Sequence, residues 1–403
     1  MSNDTRPLPQ FAHAPLLPLI IAYLMMQPLS TDLYLASLPS LSVIFNVPPA
    51  TVQLTLSLFV IGFGSAQLII GPLSDRYGRR PLILWGLALY MLGSALCSLA
   101  PSIELLIGAR FLQSIGCCAA VMISRAIVRD AFEPLQSIRV IARASTWLAL
   151  APLLGPILGS WLEVTFGWRA AFTVHLLLAT TLLVLTYRHL PETNLHKNPD
   201  ATNLAGLSAS FRLVLGSREF WAYALPGSLS YGAIFAFISG SSIVLIRVLD
   251  VPTEFFGYCF AFGVSGYLSG TLVCRRLLPR IGAQTTLRIG GTMSFAAGAL
   301  FLVAVLAGFA HWSVVVLAMF MTMGAHGLNF PIGQSGAVNP FPHHAGTAAG
   351  LFGALGMLVA FIVGTIVGAT HNGTLYPLAL ITLGNGLTIF LVARLLAPAQ
   401  SVK

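Results

Sequence analysis

The stretch Gly71-Pro72-Leu73-Ser74-Asp75-Arg76-Tyr77-Gly78-Arg79-Arg80-Pro81 holds four charges and two glycines in eleven residues. The apolar run Leu54–Ile70 lies before it and Leu82–Leu99 lies after it. A charged turn this short between runs that long makes sense if the runs cross a membrane and the turn sits at its surface.

Composition points the same way. The chain has 403 residues, is 56% hydrophobic and only 8% charged, whereas soluble domains carry about 25% charged residues. So few charges cannot solvate a globule of this size, and the apolar surface must face lipid. A spanning helix needs about 20 apolar residues. The runs are continuous rather than alternating, which disfavours a β-barrel, so the expectation is an all-helical membrane protein. The formal charge of +9 does not imply nucleic acid, because the Lys and Arg fall in alternate loops, as the positive-inside rule describes. Five cysteines lie in or beside apolar runs, without metal spacing or a disulfide pattern. The N-terminal apolar run is longer than a signal peptide and carries Asp32, so it reads as a mature helix.

Twelve helices are expected, at about 15–38, 51–72, 81–99, 105–128, 142–162, 168–187, 220–245, 255–274, 287–309, 313–333, 345–370 and 375–395. The polar stretch His189–Glu219 divides them evenly. This gives an N-terminal six-helix bundle (1–190), a linker (191–218) in which Leu204–Leu215 could form a surface helix, and a C-terminal six-helix bundle (219–403). Of the 21 Lys and Arg, Arg110 falls inside a helix and Arg169 and Arg247 on the outer side. The rest mark the cytoplasmic side, which then holds both termini. Gly270-Thr271-Leu272-Val273-Cys274-Arg275 can be laid over Gly71–Arg76 at the corresponding place in the second half, with Cys274 where the first copy has Asp75.

Asp32 is the only acidic residue placed within a membrane run. A charge at depth costs roughly 2.5–3.5 kcal/mol on insertion scales, so such a residue faces a cavity or has a partner. Low dielectric favours the protonated carboxyl and a nearby cation the ionised one. Asp32 is therefore read as a proton-binding site whose proton affinity changes as a cavity opens and closes. The alternative is a helix-end anchor near the outer interface. Arg110, at similar depth on the fourth helix, is the candidate counterion; its alternative role is to bond backbone carbonyls. His175 and His326 could relay protons, though a structural histidine explains each as well.

The opening stretch fits G-x-L-x-D-R-x-G-R-[RK] at every fixed position, and so resembles the loop between the second and third helices of the major facilitator superfamily. Arg110-Phe111-Leu112-Gln113-Ser114 resembles that superfamily's R-x-x-Q-G, with Ser114 in place of glycine. Ala151-Pro152-Leu153-Leu154-Gly155-Pro156-Ile157-Leu158-Gly159-Ser160 resembles the exporter motif G-x-x-x-G-P-x-x-G-G, with Ala151 and Ser160 in place of its outer glycines. Gly155 and Gly159 form a smooth stripe for close helix approach, and Pro152 and Pro156 favour a kink. With Ser30–Leu35, Arg125–Asp130, Trp168–Phe172 and Leu190–Thr193, these marks resemble the Bcr/CflA group of drug/proton antiporters.

That resemblance implies two pseudo-symmetric six-helix bundles and proton-driven export of small, often apolar drugs. It implies a bacterial cytoplasmic-membrane protein working as a monomer, with lipid, protons and drugs as its partners and the proton gradient, not a cofactor, as its driving force. Gly71, Asp75, Arg76, Gly78, Arg79 and Arg80 would latch the outward-facing state. Drug would bind at mid-membrane between the halves, with Gln27, Asp32, Gln113, Cys117, Trp147 and Ala151 as candidates in the first half. Tyr231, Phe235, Phe260 and Asn329 are candidates in the second. A proton-coupled metabolite symporter of the same fold is the alternative. A membrane enzyme is disfavoured, because no H-E-x-x-H, G-x-S-x-G, Walker loop or paired acids at depth occur.

Overall fold

A computed structural model describes Leu8, Phe11 and residues 15–396. The expected polar N-terminal tail lies almost wholly outside the described residues. Among the described residues the chain is helical throughout: α1 (Leu16–Asp32), α2 (Leu38–Ile44), α3 (Pro49–Tyr77), α4 (Arg79–Ser98), α5 (Ile103–Ala131), α6 (Pro134–Phe166), α7 (Arg169–His189), α8 (Leu204–Leu215), α9 (Arg218–Ile243), α10 (Thr253–Leu306), α11 (Trp312–Val338), α12 (Ala345–Thr370) and α13 (Tyr376–Leu395). Ten helical stretches are long and apolar enough to cross a membrane. One of them, α10, is 54 residues long and bends at Gly282, so it crosses twice. With α6, whose apolar part is Leu150–Phe166, the crossings number twelve.

Several boundaries differ from the sequence expectation, each for a local reason. The first crossing is not continuous. α1 stops at Asp32, a 3-10 turn follows at Leu35–Ser37, and α2 completes the crossing to Ile44. α3 runs on through Pro72 to Tyr77, since a helix near its end tolerates a kink-forming proline if neighbours hold it. The charged turn thereby shrinks to Gly78, whose φ of 104° is left-handed backbone that other residues adopt only under strain. The equivalent turn in the second half is made the same way by Gly282, at φ 76°. The two halves thus repeat a glycine device five residues out of step with the alignment of Gly71–Arg76 on Gly270–Arg275.

The packing repeats as well. In the first half α5 lies against α3 and α4, and α4 against α7. In the second, α11 lies against both arms of α10, and the second arm packs on α13. α3 meets α12 and α6 meets α10 across the halves. These seams are drawn tight by small residues, as between lipid-embedded helices generally. A side chain at Gly257 would collide with Pro156 O and Ile157, and one at Gly64 with Met357. The expected surface helix in the linker exists as α8, capped by Asn203 Oδ1 accepting from Ala205 N at 3.1 Å.

Candidate functional site

Between the halves lies a cavity of about 820 Å³. Its wall starts at Asp32 and Tyr231 in mid-chain depth. It ends at Asp75, Arg129, Asn198 and His343, at helix ends on the basic face, with Leu207 and Phe211 of α8 beside its mouth. The opposite end is shut. There Arg247 Nη2 donates to Pro39 O across the halves at 2.9 Å, and Gln53 Nε2 donates to Ser239 O. Glu163 of α6 accepts from Ser40 Oγ at 2.6 Å and from Ser37 Oγ, which ties the broken first crossing to α6.

Asp32 forms the blind end of the cavity. It is 4% exposed, and it is the last residue of α1 before the break. Thr31 Oγ1 lies 2.8 Å from Asp32 Oδ1 and 3.0 Å from Pro28 O. That pair can serve either protonation state. Thr31 donates to an ionised carboxylate, or it turns its hydroxyl to Pro28 O and accepts from a protonated one. The stripe on α6 presses on the same spot: a side chain at Gly155 would touch Asp32 Cβ, and one at Gly159 would strike Leu33 O.

Arg110 does not pair with Asp32, which corrects the expected counterion. It is fully buried, donating through Nη2 to Ser30 O at 3.0 Å, through Nη1 to Gln113 Oε1 at 2.5 Å and through Nε to Thr55 O at 3.4 Å. Its guanidinium also lies 4.2 Å from the Phe59 ring centre and 4.6 Å from that of Tyr34. Ser30 O, where α1 nears its break, Thr55 O of α3 and the Gln113 amide together engage the forked donor in place of a carboxylate two residues beyond Ser30. Arg110 therefore fixes the backbone that carries Asp32, and is a positioning residue.

Of the ten candidate drug contacts, Gln27, Asp32, Tyr231, Phe235 and Phe260 line the cavity. Gln27 Nε2 reaches Tyr231 OH at 3.5 Å, a bridge between the halves. The other five do not line it. Gln113 is turned to Ser94 Oγ at 2.7 Å, and Cys117 packs 3.9 Å from Ser30 Oγ. Asn329 faces Ser294 at 3.5 Å behind α11. Trp147 is 53% exposed on the outer surface, and Ala151 is buried among helices. On α6 it is Leu148 and Pro152 that face the cavity, one residue and so about 100° round from the expected pair.

His175 donates from Nε2 to Leu29 O at 3.1 Å and is structural. His326 does line the cavity, 2.9 Å from Ser230 Oγ and ring to ring with Phe330 at 4.9 Å and Tyr267 at 5.6 Å. Val121, Met122, Arg125 and Arg129 also line it. Their spacing of three and four marks one face of α5, a signal present in the sequence and missed there.

The charged turn is an ion cluster. Arg79, 3% exposed, bonds Asp75 Oδ1 at 2.6 Å, Asp130 Oδ2 at 2.8 Å and Ser74 Oγ at 2.6 Å. Glu192 of the linker accepts from the backbone N–H groups of Arg79 at 2.9 Å and Arg80 at 3.2 Å. Arg76 donates to Thr202 Oγ1, and Arg80 Nη2 to Tyr187 O at 2.9 Å. Gly71 lines the cavity with open space beside its Cα.

Two glycine-hinged halves around a cavity shut at one end, with an acid at its blind end, define a membrane transporter of the alternating-access type. The family model of the Major Facilitator Superfamily matches residues 20–365, and the chain belongs to that superfamily. Its sequence is 29% identical to the bicyclomycin resistance protein homolog of Haemophilus influenzae, over 94% of this chain and 95% of that one. It is 28% identical to multidrug resistance protein D of Escherichia coli, over 81% and 82% of the two chains. These relatives accord with the resemblance to the Bcr/CflA group. The crystal structure of a D-xylose-proton symporter shares the fold, with a TM-score of 0.71 at 17% identity over 95% of this chain and 98% of that one.

Proposed function

We propose that the chain exports small drug-like molecules from a bacterial cytoplasm across the inner membrane in exchange for protons. One observation carries this reading: a buried carboxylate, Asp32, closes the blind end of a cavity that opens on the basic face, with no cation within ion-pair reach among the described residues. The basic face is the cytoplasmic one by the positive-inside rule, so this is the drug-loading state, and both termini are cytoplasmic. The relatives named for bicyclomycin and multidrug resistance support drugs as the cargo.

In this cycle the halves 1–190 and 219–403 rock about Asp32, joined by the linker 191–218. With the outer seal broken, Asp32 takes a proton from outside and drug leaves. With the seal re-formed, the proton passes to the cytoplasm and drug binds again. Asp75, held by Arg79 at the cavity rim, is placed to latch the outward-facing state when the basic face closes. The protein needs no cofactor for this and acts as a monomer.

The test is transport in proteoliposomes under an imposed pH gradient. Asp32→Asn removes gradient-driven export while the protein stays folded. Undiminished gradient-driven export by that variant overturns the reading, and uptake with the proton gradient would make the chain a symporter.

A further inference from the structure

Arg125 is a cavity cation without a partner among the described residues. It projects from α5 into the cavity and is exposed there. Two other arginines line the cavity, and both are engaged: Arg79 between Asp75 and Asp130, and Arg129 beside Asp130 at 3.9 Å. Arg125 forms no hydrogen bond or ion pair with any described residue. A guanidinium gains most from planar, two-oxygen acceptors such as carboxylates. Between apolar walls water screens the charge less than in bulk solvent, so an acceptor group of a ligand gains more from the guanidinium there.

Its position relative to the other cavity features sets a scale. Cys117 stands beside Ser30, and Arg125 follows it by eight residues, about 12 Å along α5 towards the basic face. Asp32 lies slightly beyond Ser30 in the opposite direction. The acid and the free guanidinium are therefore separated by about the length of a drug-sized molecule. Across the cavity the second half offers rings: Tyr231, Tyr267, His326 and Phe330, packed at tilted angles with centres 4.9–6.2 Å apart. Flat apolar bodies fit such a wall.

Given the reading of this cavity as a drug path, we propose that Arg125 determines specificity by binding an anionic oxygen group of the exported molecule, such as a carboxylate, whose aromatic body rests on the Tyr231–His326–Phe330 wall. The cavity then selects acidic and neutral aromatic compounds and discriminates against permanent cations, although its deepest charged group is an acid.

The experiment is equilibrium binding of three radiolabelled probes to the purified full chain in nanodiscs at neutral pH: nalidixate (an aromatic carboxylate), chloramphenicol (neutral) and tetraphenylphosphonium (a permanent cation). The wild type is expected to bind nalidixate more tightly than tetraphenylphosphonium. Arg125→Gln should weaken nalidixate about tenfold or more and leave chloramphenicol within about twofold. Arg125→Lys should keep most of the nalidixate affinity, and Arg125→Glu should favour the cation. Equal losses for all three probes in Arg125→Gln, no loss for nalidixate, or a wild type that does not bind nalidixate each overturn the proposal. If the binding pattern holds but a proton gradient drives none of the probes outwards, the export reading falls and the assignment of Arg125 stands.

Discussion

Gly155 of α6 stands against Asp32 of α1 so closely that a methyl group at position 155 would lie 3.1 Å from Asp32 Cβ. One turn on, a methyl at Gly159 would lie 2.1 Å from Leu33 O, a backbone atom that cannot turn aside. The glycine stripe therefore packs against the backbone of Asp32 and Leu33 that carries the carboxylate.

The two glycines should respond differently to alanine. Gly159→Ala forces α1 and α6 apart and is expected to lower stability by about 1–3 kcal/mol, read as a fall in melting temperature in detergent. Gly155→Ala requires a shift of only a few tenths of an ångström. It should leave the melting temperature nearly unchanged while altering the pH profile of transport. Equal thermal losses in the two variants would contradict this division.

Asp32 and Arg110 should be coupled only through the backbone, and more weakly than an ion pair. Arg110→Lys loses the forked hold on Ser30 O, Thr55 O and Gln113 and should destabilise the first half. In a double-mutant cycle with Asp32→Asn, measured by chemical denaturation, the coupling energy should stay at about 1 kcal/mol or less. A buried ion pair would instead give a coupling of several kcal/mol.

Arg79 joins two carboxylates, and its removal leaves them facing each other. Arg79→Ala should cost about 3 kcal/mol, the low end for a broken buried pair because the Asp75 side chain is 44% exposed. The double variant Arg79→Ala/Asp130→Asn should recover part of that loss, and a melt of each variant checks it.

The phase of α6 can be tested by thiol labelling in a cysteine-free background. Leu148→Cys faces the cavity and should react with a charged, membrane-impermeant reagent applied to the basic face. Trp147→Cys, on the outer surface, should react only with a lipid-soluble one. The reverse pattern would return Trp147 to the drug path.

What the sequence made legible follows from what each feature depends on. Twelve apolar runs and alternating basic loops are set by the bilayer, so both could be read without coordinates. Asp32 stood out because a charge in an apolar run is costly wherever it points. Arg110 stood out for the same reason, but its partners did not. Main-chain acceptors such as Ser30 O and Thr55 O are invisible in a sequence, because every residue has a carbonyl. Only half of the candidate drug contacts line the cavity, for a geometric cause: one step along a helix is about 100° of rotation, so Trp147 and Leu148 are neighbouring letters of which only Leu148 faces the cavity. Arg125 sat in a recognised motif, and only the cavity revealed that it has no partner among the described residues.

The seal at the end opposite the basic face rests on Arg247 and Gln53, and both donate to main-chain oxygens, those of Pro39 and Ser239. Its information is therefore held on one side only. Substitutions at positions 39 and 239 cannot delete their carbonyls, so those positions are free to drift without loosening the gate. Substitutions at 53 and 247 alter its strength directly. Mutational escape towards a more readily opening exporter is thus funnelled through two side chains, one in each half, and resistant isolates that carry changes in this protein should be searched for them there first.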